Sequence, residues 1–145
     1  MTSFEDRVLE LAIQIQQIPA PTFDEAERAD FVRTLLYDEK LLDVASDAAG
    51  NVFGRWPGQN DIVKPVIVCA HLDTVLTPDP RHPTSRDRAR VHGIGIGDNA
   101  LGVASLFALL WSLREAGVQP AADLWLVATV GEEGLGNLRR TPSPR

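Results

Sequence analysis

VIVCAHLDTV, residues 66–75, is the stretch whose reading decides the fold. Val66 to Ala70 run without a polar break, and His71 follows, with Asp73 two places on. A short, uninterrupted apolar run is the mark of a strand buried within an α/β sheet. LWLVATVGEEGLG, residues 124–136, repeats the pattern and ends in two adjacent carboxylates, Glu132 and Glu133. In open α/β sheets, ligands gather beyond the carboxyl ends of the strands. Residues that resist burial therefore stand where burial ends and where a site belongs.

Working outward, Phe4 to Ile18 carries apolar residues at mostly helical spacing, with Glu5 and Asp6 early, where carboxylates suit the positive end of a helix. The prolines of IPAPT, residues 18–22, stop that helix. A second amphipathic helix opens at Asp24–Glu27, with Ala29, Phe31, Val32, Leu35 and Leu36 on its apolar side. Thr22 is its expected N-cap and Glu25 the capping-box partner. Residues 42–48 and 52–56 read as a hairpin around the Asp47–Asn51 turn. Residues 76–92 are polar and proline-rich, a long surface loop. Residues 99–116 form a helix apolar on most sides, packed on a sheet, and 124–130 a buried strand. Strands alternating with helices give an α/β class, a three-layer sandwich with a mostly parallel central sheet.

Bulk properties narrow the function. A chain of 145 residues, 44% apolar and 23% charged, is long enough for one domain with a real core and is not disordered in composition. The formal charge of −6 argues against a nucleic-acid partner, which needs a positive surface. Cys69 is the single cysteine, so no intrachain disulfide forms, and it is read as a core thiol. MTSFEDRVLEL does not read as a signal peptide, and the apolar stretches fall short of the ~20 residues of a membrane helix. A cytoplasmic protein without a membrane partner is the expectation.

Three clusters carry chemistry: His71-Leu-Asp73, Gly97-Asp98-Asn99 before a helix, and Glu132-Glu133 after a strand. On an extended backbone Asp73 shares a side with His71 and is placed to orient its ring, as the partner of a metal-binding histidine does. Each residue also has a plain reading. His71 alone is more often structural, Asp98 alone is an N-cap, and the two glutamates alone are an acidic first helical turn. Taken together, four carboxylates near one crevice repel one another by several kcal/mol or take up protons unless cations intervene. Two divalent cations satisfy them. Imidazole and oxygen donors without thiolate point to zinc first, with cobalt or manganese as alternatives. A pair of metals polarises a carbonyl and activates water, and a further carboxylate is then needed as general base. Adjacent glutamates are suited to divide those tasks.

AHLDT (70–74), GIGDNALGVA (95–104) and VGEEGLGNL (130–138), in this order, resemble the zinc-dependent metallopeptidase family of aminoacylase, glutamate carboxypeptidase, succinyl-diaminopimelate desuccinylase and peptidase T. The wording is most similar to the peptidase T-like branch, and the resemblance runs from about residue 4 to 140. It implies that His71 binds one metal, Asp98 bridges both, Glu133 binds the other, Glu132 is the general base and Asp73 supports His71. It also implies a small peptide or N-acyl amino acid as substrate. The family supplies two more ligands, an acidic residue and a distant histidine, and a lid domain that makes homodimers. None of these is met by Arg145, and RRTPSPR departs from the family's helical continuation. The expectation is therefore that residues 1–140 are the N-terminal part of a catalytic domain, that 141–145 are a non-native tail, and that the lid is absent. A competing expectation follows: an inactive truncated remnant, short of two ligands, with at most weak metal or partner binding.

Overall fold

The computed structural model of the protein describes residues 3–60, 62–76, 83–87 and 90–133. Helix α1, Phe4–Gln17, starts on Ser3, whose hydroxyl accepts the Asp6 N–H, and buries Leu11, Ala12 and Ile15 at helical spacing. Helix α2, Ala26–Asp38, buries Ala29, Val32 and Leu36. Strands β1 (Leu42–Ser46) and β2 (Val52–Trp56) form the expected hairpin. Strand β3, Val66–His71, is the stretch from which the reading began. Within the expected loop lies a small extra hairpin of β4 (Ser85–Arg86) and β5 (Val91–His92). An irregular turn over Ile96–Ala100 leads into helix α3, Leu101–Glu115, and strand β6 is Leu124–Thr129. The sequence 141–145, and the second half of the GEEGLGNL motif, lie outside the described residues.

The central sheet has the order β1-β2-β6-β3. It is mixed rather than mostly parallel among the described residues: β3 runs parallel to β6, while β1–β2 and β2–β6 are antiparallel. The cause is connection length. A tight turn joins β1 to β2 and forces them antiparallel, whereas the α3 crossover between β3 and β6 allows a parallel pair. The parallel ladder is in register from Val66/Leu124 to His71/Thr129.

Paired residues share a face of a sheet. Val52, Leu126 and Ala128 are buried on one face, with Val68 and Ala70 packed beside them, and all three helices contribute to this single core. The opposite face carries Phe53, Trp125, Ile67 and Cys69, and no described helix covers it. The described residues thus form two layers of the expected three. Cys69 is exposed there and is not a core thiol. Phe53 and Trp125 meet edge to face at 5.9 Å, and Arg55 joins them while pairing with Asp43 and Asp123.

Ile96–Glu115 is longer and more apolar than the sequence reading allowed, with a mean hydropathy of 1.4 in its most apolar window. Its residues Val103, Leu106, Phe107, Leu110 and Trp111 are buried in the core, against α1 and β3. Length and composition alone would fit a membrane span. The packing is that of a core helix.

The β1–β2 turn is closed by one side chain. Asp47 Oδ1 accepts the backbone N–H groups of Ala49, Gly50 and Asn51, and Oδ2 accepts the Asn51 side chain. Burial pushes the Asp47 carboxyl up, but these donors outweigh it and hold it below its ordinary value of 3.8. A depressed carboxylate stabilises the fold above its ordinary value and loses that contribution as pH falls through the depressed one. Asp47→Ala should therefore lower stability at neutral pH by about 1–2 kcal/mol. The difference from wild type should shrink in acid, read from urea midpoints across pH; a constant difference would contradict the assignment.

Candidate metal centre

The parallel pair of β3 and β6 ends both strands at the same edge. His71 pairs with Thr129, and the Leu72 N–H donates to the Thr129 carbonyl at 2.7 Å. Just beyond, His71, Asp98 and Glu133 come together, with one ligand atom from each lying within 4.8 Å of the others. His71 Nε2 is 3.1 Å from Asp98 Oδ1 and 3.9 Å from Glu132 Oε2. Four of the five expected residues, His71, Asp98, Glu132 and Glu133, thus meet at one place. The His71 side chain is 14% exposed, Glu132 48% and Asp98 75%, so the centre opens to solvent on its acidic side.

Asp73 is positioned differently from the simple expectation. Its side chain is fully buried. Its carboxylate accepts the Glu132 N–H on Oδ1 at 3.0 Å, and the Glu133 N–H and the Thr22 hydroxyl on Oδ2 at 2.8 and 3.0 Å. Burial raises the Asp73 carboxyl, but these donors together bring it below its ordinary value. His71 Nδ1 lies 3.0 Å from the Asp73 backbone carbonyl and 3.5 Å from Oδ1. Asp73 still orients the ring, but mainly through its main chain, while its carboxylate fixes the segment that carries the two glutamates.

With Nδ1–H donating to a carbonyl, a neutral ring turns the Nε2 lone pair toward the Asp98 carboxylate. That arrangement is unfavourable unless a proton or a cation stands between. Partial burial and then the Asp98 charge push Glu133 above its ordinary carboxyl value, with Glu132 and Asp73 adding to the effect and His71 opposing it. Imidazole and carboxylate ligands on one tetrahedral zinc would sit about 3.3 Å apart, given metal–ligand lengths of about 2 Å. The donor set, its charge and its spacing fit a divalent cation.

Asp98 is not a helix N-cap. Helix α3 begins only at Leu101, Ala100 occupies its cap position, and no side chain caps it. At Gly102, in the first turn of α3, an added Cβ would lie 1.9 Å from Asn99 Oδ1 and would displace that side chain. His92 pairs with Asp87 at 3.5 Å and does not join the centre, while His82 lies outside the described residues.

Sequence reasoning missed four supporting residues. Thr22 and Glu25 were expected to cap α2, but the helix has no side-chain cap. Thr22 instead bonds Asp73, and Glu25 Oε1 accepts the Phe23 and Gly131 N–H groups. Asn51 Oδ1 accepts the Val130 N–H at 2.9 Å. Arg28 is 1% exposed and donates to the carbonyls of Ile18 and Leu72. Burial lowers Arg28 to about 10, with Asp73 acting the other way, so it stays charged at neutral pH. A signal existed: Glu25 and Arg28 interrupt the apolar stripe of α2, where a surface charge would lie on the far face.

Residues 51–137 match Peptidase family M28. The chain is 30% identical over 113 residues to the N-carbamoyl-L-amino acid amidohydrolase of Geobacillus stearothermophilus, covering 78% of this chain and 24% of that protein. Its fold is similar to aminopeptidase PepT from Bacillus cereus, with a TM-score of 0.78 at 23% identity over 97% of this chain and 40% of that one. It is also similar to a dinuclear metal binding peptidase of the M20 family from Bacillus subtilis, with a TM-score of 0.58 at 15% identity over 88% and 35% of the two chains. At these identities the two structures speak to the fold alone. The chain spans about a quarter of the length of the curated relative and two-fifths of the aminopeptidase.

Asp73→Asn replaces one acceptor oxygen by a donor that must face a backbone N–H. It should cost about 1–3 kcal/mol and weaken zinc binding as the glutamate segment is released. Denaturation and calorimetry on the same sample would check both; full retention of zinc affinity would separate Asp73 from the centre.

Proposed function

Because the chain belongs to peptidase family M28, we propose that it carries the catalytic residues of a metal-dependent hydrolase of peptide or N-acyl amide bonds. The observation that carries this reading is the convergence of His71, Asp98 and Glu133 with Glu132 at the carboxyl edge of the β3/β6 pair. In this reading His71 and Asp98 would hold one divalent cation, and Asp98 and Glu133 would hold a second, with zinc the first candidate and cobalt or manganese next. When bound, the cations supply a polarising charge for the substrate carbonyl and acidify a water molecule.

The protein's own residues do the rest. Asp73 sets the imidazole tautomer, so that Nε2 is free to act as a ligand. Glu132, about half exposed beside the cluster, takes the proton of the attacking water and delivers it to the leaving amine. Its adjacency to Glu133 supports this division of labour, because the same buried carboxylate anchors both backbone N–H groups. The reading of the substrate as a small peptide or an N-acyl or N-carbamoyl amino acid is supported by the names of the relatives.

A second reading rests on ligand number. Catalytic zinc is usually held by three protein ligands plus water, and among the described residues two would serve each ion. A partial centre would bind cations weakly and hydrolyse little. The two readings separate in one set of assays, zinc calorimetry alongside turnover of a tripeptide, an N-acetyl and an N-carbamoyl amino acid. In the first, Glu132→Gln loses about 10²–10⁴-fold in kcat with zinc binding kept, whereas Glu133→Gln loses zinc affinity. Normal turnover by Glu132→Gln would remove the base assignment, and weak zinc binding without turnover in wild type would favour the second.

A further inference from the structure

Four consecutive backbone N–H groups lead the chain out of β6, and each donates to a side chain from elsewhere. Val130 donates to Asn51, Gly131 to Glu25, Glu132 and Glu133 to Asp73. Gly131 is the pivot. It sits at φ +67°, in the left-handed region, where the strand breaks off toward the acidic pair. It is buried, so its N–H would be orphaned without the Glu25 carboxylate at 3.0 Å. Leaving a buried donor unsatisfied is costly, and a turn relaxes to avoid it.

Glu25 is itself built into place. It is 5% exposed, and the same Oε1 accepts the Phe23 N–H at 2.9 Å. Phe23 sits at φ +78°, an uncommon conformation for a bulky residue and one that persists only where its surroundings impose it. On the other side of this turn, the Thr22 hydroxyl bonds Asp73, Pro21 bridges Thr74, and the Thr74 N–H donates to Ala20. Residues 20–25 therefore brace the His71 strand with one end and the Glu132 segment with the other.

We propose that Glu25 is a positioning residue of the site, whose buried carboxylate holds the Gly131 N–H and thereby sets the direction in which Glu132 and Glu133 leave the sheet. The proposal rests on the functions assigned above to those two glutamates. Glu25 touches neither substrate nor cation in it; it acts through one hydrogen bond to the main chain.

The test uses the full 145-residue chain, with Glu25→Ala and Glu25→Gln, and with Val32→Ala as a control that loosens α2 in the core away from the site. Amide hydrogen exchange resolved by residue, and zinc calorimetry, are measured for each. Glu25→Ala should speed exchange at Gly131 at least about tenfold while the Leu126 amide stays protected, and should weaken zinc binding about 10–100-fold. Glu25→Gln, whose amide oxygen still accepts, should fold normally and recover much of both. Val32→Ala should lower stability and leave zinc affinity unchanged. Wild-type exchange at Gly131 in Glu25→Ala would overturn the proposal, as would a zinc loss no greater than that of Val32→Ala. A wild-type chain that binds no zinc would sink the parent reading instead, and Gly131 exchange would then decide the role of Glu25 alone.

Discussion

The Asp73 carboxylate is fully enclosed, and three donors from two distant segments close on it: the N–H groups of Glu132 and Glu133 and the hydroxyl of Thr22. A buried anion costs several kcal/mol unless donors and an opposite charge surround it. Arg28, itself buried, supplies that charge and grips the carbonyl of Leu72, the residue between His71 and Asp73. The Asp73 charge in turn favours the charged form of Arg28 against its burial. The connection between α1 and α2, strand β3 and the exit of β6 are therefore joined through one electrostatic knot at the sheet's carboxyl edge.

Charge is graded across the site. The innermost carboxylate is satisfied by the fold itself and lies below its ordinary pKa. The outer ones are not: Glu133 is pushed upward by burial and by Asp98. Asp98 sits 75% exposed on the turn before α3. The scaffold carboxylate is satisfied by donors from the fold, while Asp98 and Glu133 lie with His71 at the candidate cation site.

Much of this is legible in the sequence. His71, Asp98, Glu132 and Glu133 stood out because each follows or precedes an apolar element, and polar residues there must face an edge. The helices were legible from spacing, since Leu11 and Ile15, or Val32 and Leu36, recur at one turn. Strand direction was less so. Apolar runs do not say whether a neighbour is parallel, and β2 enters the sheet between β1 and β6 to make two antiparallel ladders. Cys69 was misread because a small apolar residue on a strand says nothing of which face lacks a covering layer. Thr22 and Glu25 were misread for a different reason. Their spacing matches a capping box, and the tertiary competitors for the same atoms, Asp73 and Gly131, lie 51 and 106 residues away in sequence.

The β3/β6 ladder also acts as a ruler. Both strands have six residues and run in register to His71 and Thr129. A one-residue slip would turn His71 to the opposite face, and a two-residue slip would carry it about 7 Å along the sheet. Metal–ligand distances tolerate only about 0.2 Å. Gain or loss of a single codon within either strand would thus dismantle the centre while leaving the hydrophobic content unchanged. The connections at 57–65 and 116–123 continue the constraint, since the Gln59 and Asn60 N–H groups donate to the Pro120 and Ala121 carbonyls, both at 3.0 Å. The two short strands are thus held to a fixed count by the residues at their ends.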